Sequence, residues 1–290
     1  MNFAALGGWP GVLNRLVAHD SLTGEEAKSV LGEILAGRAV PAQIAAFLIA
    51  LRSKGETTEE TAGFVRGMLE HAEPVAVSDD AIDVVGTGGD RLGSINVSTL
   101  AALIASGAGA RVCKHGNRAA SSSVGTADVL EALGVAVDLG PKGVTRCVAE
   151  VGMGFCFAPR FHPALRHVGP IRREIGIPTI FNFLGPLSNP ARVRYQLVGV
   201  CDPAKAQMMA QVLGVNGSRR AMVVYADDGL DELSVTSWST VLEVNGDGEG
   251  AFELRTWRLD PSDLGLPMAT MAELRGGDAA FNAAAIRSVL

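Results

Sequence analysis

Up to about residue 72 apolar positions recur every three or four residues; from residue 82 they gather into short runs separated by glycine. The first pattern predicts helices alone, the second an alternation of strands and helices. A helix over 12–18 is followed by the capping box Thr23-x-x-Glu26. That box opens a helix expected to bury Ala27, Val30, Leu31, Ile34 and Leu35 and to stop at Gly37. Pro41 stands at the start of a third helix, where its missing N–H costs nothing. The run 44–51 is apolar almost all round, so this helix is expected to be buried between partners. Thr57-x-x-Glu60, a second capping box, opens a helix to about His71.

After a polar link (73–80), strands are expected near 82–85, 110–114, 134–138, 153–157, 195–200 and 221–225. Helices are expected near 97–107, with Asn96 as N-cap, and near 125–133, 142–151 and 203–213. The alternation breaks at 161–182, where one or two short helices rich in Arg and His are expected. Residues 239–258 alternate around Asn245-Gly246-Asp247-Gly248 and read as an antiparallel hairpin. The fold class is therefore α/β: a small all-helical N-terminal domain plus a larger α/β domain with a central, mostly parallel sheet. The expected units are 1–75, with 163–182 packing on it, and 76–162 joined to 183–290.

Composition narrows the function. At 48% apolar and 19% charged, the 290 residues support a sizeable core and argue against extensive disorder. A net charge of −6 with 5% aromatic residues argues against a nucleic-acid surface but not against a local phosphate site. Cys113, Cys147, Cys156 and Cys201 lack Cys-x-x-Cys spacing and read as reduced core residues rather than a zinc site. With no secretory signal pattern and no membrane-length apolar run, a soluble cytoplasmic protein is expected.

The candidate chemistry sits where strands end. Gly86-Thr87-Gly88-Gly89-Asp90 follows the first strand and leads to a helix N-terminus at Asn96-Val97-Ser98-Thr99. Free N–H groups and the positive end of a helix dipole make such a junction an anion site; the alternative is a tight turn with no ligand. Lys114-His115-Gly116-Asn117-Arg118, continuing into the Ser- and Gly-rich stretch to Thr126, is a second phosphate cradle or an exposed basic loop. Of the acidic residues after the 221–225 strand, Asp231 and Glu232, anchored by Leu230 and Leu233, suit Mg²⁺ better than Asp227 and Asp228. Arg172 could clamp a carboxylate or pair with Glu174, and the apolar segment 180–187 suits a pocket wall or a plain core strand.

These segments together, with 157–162, 170–176 and 182–191, resemble the anthranilate phosphoribosyltransferase family, in order and over the whole chain. The resemblance implies transfer of the phosphoribosyl group from 5-phosphoribosyl 1-diphosphate to anthranilate in tryptophan biosynthesis. It implies two Mg²⁺ ions and a homodimer formed through the helical domain. It places the diphosphate substrate at Gly86, Gly88, Gly89, Asp90, Ser94, Asn96, Ser98, Thr99, Lys114 and Thr126. Anthranilate would meet Gly86, His115, Asn117, His162, Arg172, Gly185 and Pro186; Ser98, Asp231 and Glu232 would hold metal; Lys114 and Arg172 would carry the catalytic work. Val124-Gly125-Thr126 departs from the family's Ser-Gly-Ser pattern, and the family continues roughly one small set of helices beyond Leu290, which reads as a truncated end. The competing readings are a pyrimidine nucleoside phosphorylase, to be revealed by thymidine phosphorolysis, and a non-catalytic paralogue binding phosphates or nucleic acid.

Overall fold

The computed structural model describes residues 3–90, 92–119 and 124–290. Four helices open it: α1 (Gly8–Val17), α2 (Gly24–Leu35), α3 (Pro41–Lys54) and α4 (Thr58–Glu70). Both capping boxes form, the Thr23 and Thr57 side chains accepting from the N–H groups of Glu26 and Glu60. Each such cap is worth about 1 kcal/mol. Glu60 is fully buried, accepts the Leu22 N–H at 2.9 Å and pairs with Lys54 at 2.9 Å, which ties α3 and α4 to the loop before α2. In α3, Ile44, Phe47, Leu48 and Leu51 are buried, but Ile49 is 41% exposed, so the helix is not covered all round.

The remainder alternates as β1 (Ile82–Gly86), α5 (Val97–Gly107), β2 (Val112–Gly116), α6 (Thr126–Ala132), α7 (Pro141–Val151), β3 (Met153–Phe157) and α8 (Ala158–Phe161). A 3-10 turn, Pro163–His167, precedes α9 (Gly169–Ile175) and α10 (Phe181–Leu187). Then come β4 (Tyr195–Gly199), α11 (Pro203–Val215), β5 (Arg220–Ala226), β6 (Ser239–Gly246), β7 (Phe252–Leu259) and α12 (Ala279–Val289). The seven strands form one sheet in the order β3-β2-β1-β4-β5-β6-β7. The first five are parallel, and β6 and β7 add an antiparallel hairpin. From β1 the chain fills one side of the sheet with β2 and β3, then returns to β4 and fills the other. The carboxyl ends of β1 and β4 therefore flank a topological switch point, where open α/β sheets bind ligands.

Helix α5 packs on one face, its Ala102 against Val84 and Val112. On the other face α7 covers Cys113 and Cys156 through Val144 and Val148. The helices α1 to α4 share one apolar core with α10, α11 and the second half of the sheet. The 3-10 turn packs on α2, and α9 packs on α3.

Three expectations need correction. Residues 134–138 are not a strand: Val137 is buried while Val135 is 40% exposed, and Gly134 ends α6 at φ +91°, so the alternation faces no partner. The second strand runs 112–116, two residues later than expected. Residues 181–187, which suited a pocket wall or a core strand, form a helix, and in its first turn the Asn182 side chain accepts the Thr179 N–H at 3.0 Å.

Candidate active site at the switch point

Two glycines decide what stands between β1 and β4. A Cβ on Gly199 would lie 1.6 Å from the Asp231 carbonyl oxygen, and one on Gly86 would lie 2.9 Å from its Oδ2. Side chains at those strand ends would expel Asp231 from the crevice. The glycine loop continues in left-handed backbone, with φ +60° at Gly88 and +116° at Gly89.

Asp231 Oδ2 accepts the Gly88 N–H at 2.8 Å, and Glu232 Oε1 accepts the Ser98 N–H at the start of α5 at 3.2 Å. Thus two N–H groups expected to face phosphate are engaged by the acidic pair. Asp231 is 7% exposed. Burial and neighbouring Asp90 push its carboxyl up to about 6. Burial and Asp231 push Glu232 up to about 8. Leu230 is buried as an anchor, but Leu233 is 40% exposed and does not hold the pair from its other side. Asp228 instead caps its own loop through Ser234 at 2.7 Å, and Asp227 pairs with Arg258.

Lys114 is 1% exposed; its Nζ donates to the Val84 carbonyl and reaches Ser98 Oγ at 3.4 Å. Burial lowers its pKa, opposed by the negative charges of Asp83 and Glu232. Asn96 occupies the N-cap position of α5 but makes no side-chain cap. It donates to the Val124 carbonyl at 3.3 Å and accepts from Asn282 of α12 at 3.0 Å. Ser94 bridges Arg275, Asp90 accepts the Leu92 N–H at 3.3 Å, and Thr99 Oγ1 is buried without a partner. Thr126 opens α6 beside Gly116 at the end of β2. Residues 120–123 of the second cradle lie outside the described residues.

The other group of predicted residues is arranged along α10 and the residues after it. Arg172 Nη2 donates to Asn182 Oδ1 at 3.2 Å and lies over the Phe181 ring at 5.7 Å, with no pairing to Glu174. Its pKa is lowered by burial. His115 Nδ1 donates to the Gly185 carbonyl at 3.1 Å, three residues further along the same helix face. His162 Nε2 donates to the Ser188 carbonyl at 3.0 Å. The rings of His115 and His162 are 5.1 Å apart. Burial, and for His115 its neighbour His162, hold the two pKa values at about 3 and about 4, so both imidazoles are neutral. That leaves His115 Nε2 as a buried lone pair without a partner. Pro186 lies within α10, its carbonyl accepting from Gln196 at 3.2 Å. Asn117 stays at the rim, its Oδ1 accepting the Arg118 N–H at 2.7 Å.

The structure also brings in residues that the motifs did not select. Gly199 was legible only as a strand-terminal glycine, and Asn189 carried no spacing signal. A cavity of about 420 Å³ lies elsewhere, between α4 and the β6–β7 turn, with Arg66, Arg192 and Arg194 on its wall. Of the residues placed at the site above, only Asn189 and Gln196 reach its wall.

For a divalent cation the donor set fits as an open site. Asp231, buried, and Glu232, half-buried, supply hard oxygens in a mutually repelling pair, with the Ser98 hydroxyl near Lys114. Among the described residues no cluster of three or more His, Cys, Asp or Glu forms a closed metal cage. An ion here would need oxygens from a ligand, as magnesium does when it bridges carboxylates to phosphates.

Comparison with known proteins finds relatives of the whole fold. The family profile "Glycosyl transferase family, a/b domain" matches residues 78–290, and its "helical bundle domain" counterpart matches 10–72. The chain is 53% identical over 287 residues to the anthranilate phosphoribosyltransferase of Salinispora arenicola, covering 97% of this chain and 79% of that protein. Among solved structures, the enzyme of that name from Thermus thermophilus superposes with TM-score 0.87 at 42% identity, covering 95% of this chain and 81% of that one. The Saccharomyces cerevisiae enzyme, solved in complex with PRPP and Mg, superposes with TM-score 0.86 at 29% identity, covering 97% and 80%.

Proposed function

The chain belongs to the anthranilate phosphoribosyltransferase family, and we propose from that premise how its own residues divide the reaction. The reaction transfers the 5-phosphoribosyl group of 5-phosphoribosyl 1-diphosphate to the amino group of anthranilate and releases diphosphate. The bond from the ribose anomeric carbon to the diphosphate oxygen breaks, and a carbon–nitrogen bond forms. The aniline nitrogen is neutral at pH 7 and a weak nucleophile, so the larger task is departure of the diphosphate through an oxocarbenium-like centre.

The observation that carries the assignment is the crevice between β1 and β4. Glycine loop, helix N-terminus, acidic pair and buried lysine converge there within hydrogen-bond reach. In our reading Gly86, Gly88, Gly89, Asp90, Ser94, Asn96, Ser98, Thr99, Lys114 and Thr126 bind the diphosphate substrate, with Lys114 holding positive charge against the leaving oxygens. Ser98, Asp231 and Glu232 hold magnesium, with two ions per site as the proposed stoichiometry. Bound magnesium supplies charge neutralisation on the departing diphosphate. Ion number is tested by titrating the diphosphate complex with Mn²⁺ by electron paramagnetic resonance.

Anthranilate is assigned to Gly86, His115, Asn117, His162, Arg172, Gly185 and Pro186. Arg172 binds the carboxylate and so fixes the acceptor for attack. His115, held neutral with Nδ1–H on Gly185, presents the Nε2 lone pair to an N–H of the amine; neither imidazole is required as an obligatory base. The direct test is the fall of anthranilate fluorescence on adding 5-phosphoribosyl 1-diphosphate and Mg²⁺. No turnover from folded protein would contradict the reading.

Homodimer formation through α1–α4 is proposed, supported by the exposed Val17, Val40 and Ile49 on this unit, and light scattering would test it. Among the described residues no helix is long and apolar enough to cross a membrane, and we assign the protein to the cytoplasm.

A further inference from the structure

Asp83 interrupts an otherwise apolar strand, and none of the roles above uses it. It is fully buried. Its Oδ1 accepts the His115 N–H at 3.2 Å, and its Oδ2 accepts Asn189 Nδ2 at 2.8 Å. Asn189 Nδ2 also donates to the Cys113 carbonyl at 2.8 Å, and Asn189 Oδ1 takes the Ala191 N–H at 2.9 Å. One carboxylate thereby joins three pieces: strand β1, strand β2 at the residues flanking Lys114, and the chain just after α10. Those are the pieces that carry Lys114, His115 and the Ser188 carbonyl that holds His162.

The charge is as informative as the bonds. Lys114 is a buried ammonium whose hydrogen-bond partners, the Val84 carbonyl and Ser98 Oγ, are neutral. Among the described residues no carboxylate pairs with it directly, so neighbouring anions must balance it through the field. Asp83 on β1 is such an anion at pH 7; Glu232 beyond β5, pushed up to about 8, joins it only as its proton leaves. Glu232 is also one of the proposed metal ligands, which leaves Asp83 as the fixed counter-charge. A buried carboxylate is costly and persists where it is paired and hydrogen-bonded.

We propose that Asp83 is a positioning residue for the transfer reaction: tied by Asn189 and the His115 N–H, it fixes β2 at Lys114 and supplies the negative charge that holds a buried lysine ready for the diphosphate. The inference rests on the assignment of Lys114 to the diphosphate. It separates two jobs, a tie and a charge, that different substitutions remove.

Asp83→Asn keeps the shape but offers one acceptor to two donors and removes the charge. It lowers kcat/KM for 5-phosphoribosyl 1-diphosphate about 10- to 100-fold. The exchange variant Asp83→Asn with Asn189→Asp restores the tie, apart from the bond to the Cys113 carbonyl, and moves the charge away from β1. It recovers most of the thermal stability lost in the single variant, yet kcat/KM for the diphosphate stays down by about tenfold or more. Recovery of kcat/KM together with stability would overturn the role of the charge. Undiminished activity in Asp83→Asn would overturn the whole inference. If Asp83→Asn fails to fold, adding Lys114→Gln removes both buried charges and returns a folded protein; a double variant that also fails contradicts the account. Lys114→Gln alone separates this inference from its premise. Unchanged diphosphate kinetics in that variant would remove the premise and the inference with it. Impaired kinetics there with normal kinetics in Asp83→Asn would remove the inference alone.

Discussion

The two halves of the site are built from opposite materials. At the switch point, glycine backbone, two carboxyl groups and a lysine are packed together, and burial raises the carboxyl pKa values and lowers that of the lysine. Along α10, two imidazoles are held neutral by burial and fixed in place by backbone carbonyls, and the charge stands at the edge, on Arg172. The difference teaches what each half is for. A bound cation would relieve the charge repulsion in the first half and make room for phosphates. A neutral, weakly nucleophilic amine needs no such relief, only orientation. If this division is right, damage to one half should leave the other measurable.

The sharpest break is Asp231→Ala with Glu232→Ala. Activity falls about 10³-fold or more, and the dependence on magnesium disappears with it. Steady-state rates across a magnesium titration check this; an unchanged metal response excludes the pair as ligands. Next is Arg172→Ala, which raises KM for anthranilate about 10- to 100-fold, the worth of a lost charge-assisted hydrogen bond. KM for the diphosphate moves less than about threefold in the same assay, and equal effects on both would dissolve the division. Gly199→Ala sharpens the comparison from the side of packing. Its Cβ would meet the Asp231 carbonyl oxygen at 1.6 Å. Overpacking of this kind costs about 1–3 kcal/mol, read as a lower midpoint in urea, and its kinetic loss falls on the diphosphate.

The smallest effect is one of pH. A carboxyl raised to about 8 in the folded protein binds its proton more tightly there than when unfolded. Glu232 therefore favours folding at low pH, and that contribution is lost as pH rises from the ordinary carboxylate range toward about 8. Magnesium replaces the proton, so the rise in Tm on adding Mg²⁺ should be larger at pH values above about 8 than at pH values nearer 6. A rise independent of pH would contradict the pairing. The imidazoles, held at about 3 and about 4, cost stability as pH falls below the ordinary imidazole value near 6.5, but equally with and without magnesium, so they cancel from this difference.

Local signals were legible where a side chain served its own element. The Thr23 and Thr57 boxes, Pro41 and the glycine loop announced themselves because capping and turning act within a few residues. Long-range compensation was not legible. The segment 134–138 alternates like a strand, but pairing needs a neighbour, and none runs beside it. The run 180–187 is apolar enough for strand or helix, and a hydrogen bond from Thr179 to Asn182 decides for helix. Leu233 looked like an anchor because it is apolar, yet the fold leaves it facing outward. The candidate residues were readable by resemblance, whereas their sorting into a charged half and a neutral half required knowing that Gly199 admits Asp231 and that α10 and the residue after it carry the carbonyls for both histidines.

The most direct measurement is equilibrium binding of 5-phosphoribosyl 1-diphosphate, with Mg²⁺, to two variants by calorimetry. Arg172→Ala should bind it within about threefold of the unmodified protein, while Asp231→Ala with Glu232→Ala should lose binding by about 100-fold or more. Comparable loss in both variants, with both folded, would show that the two halves are one unit and contradict the account.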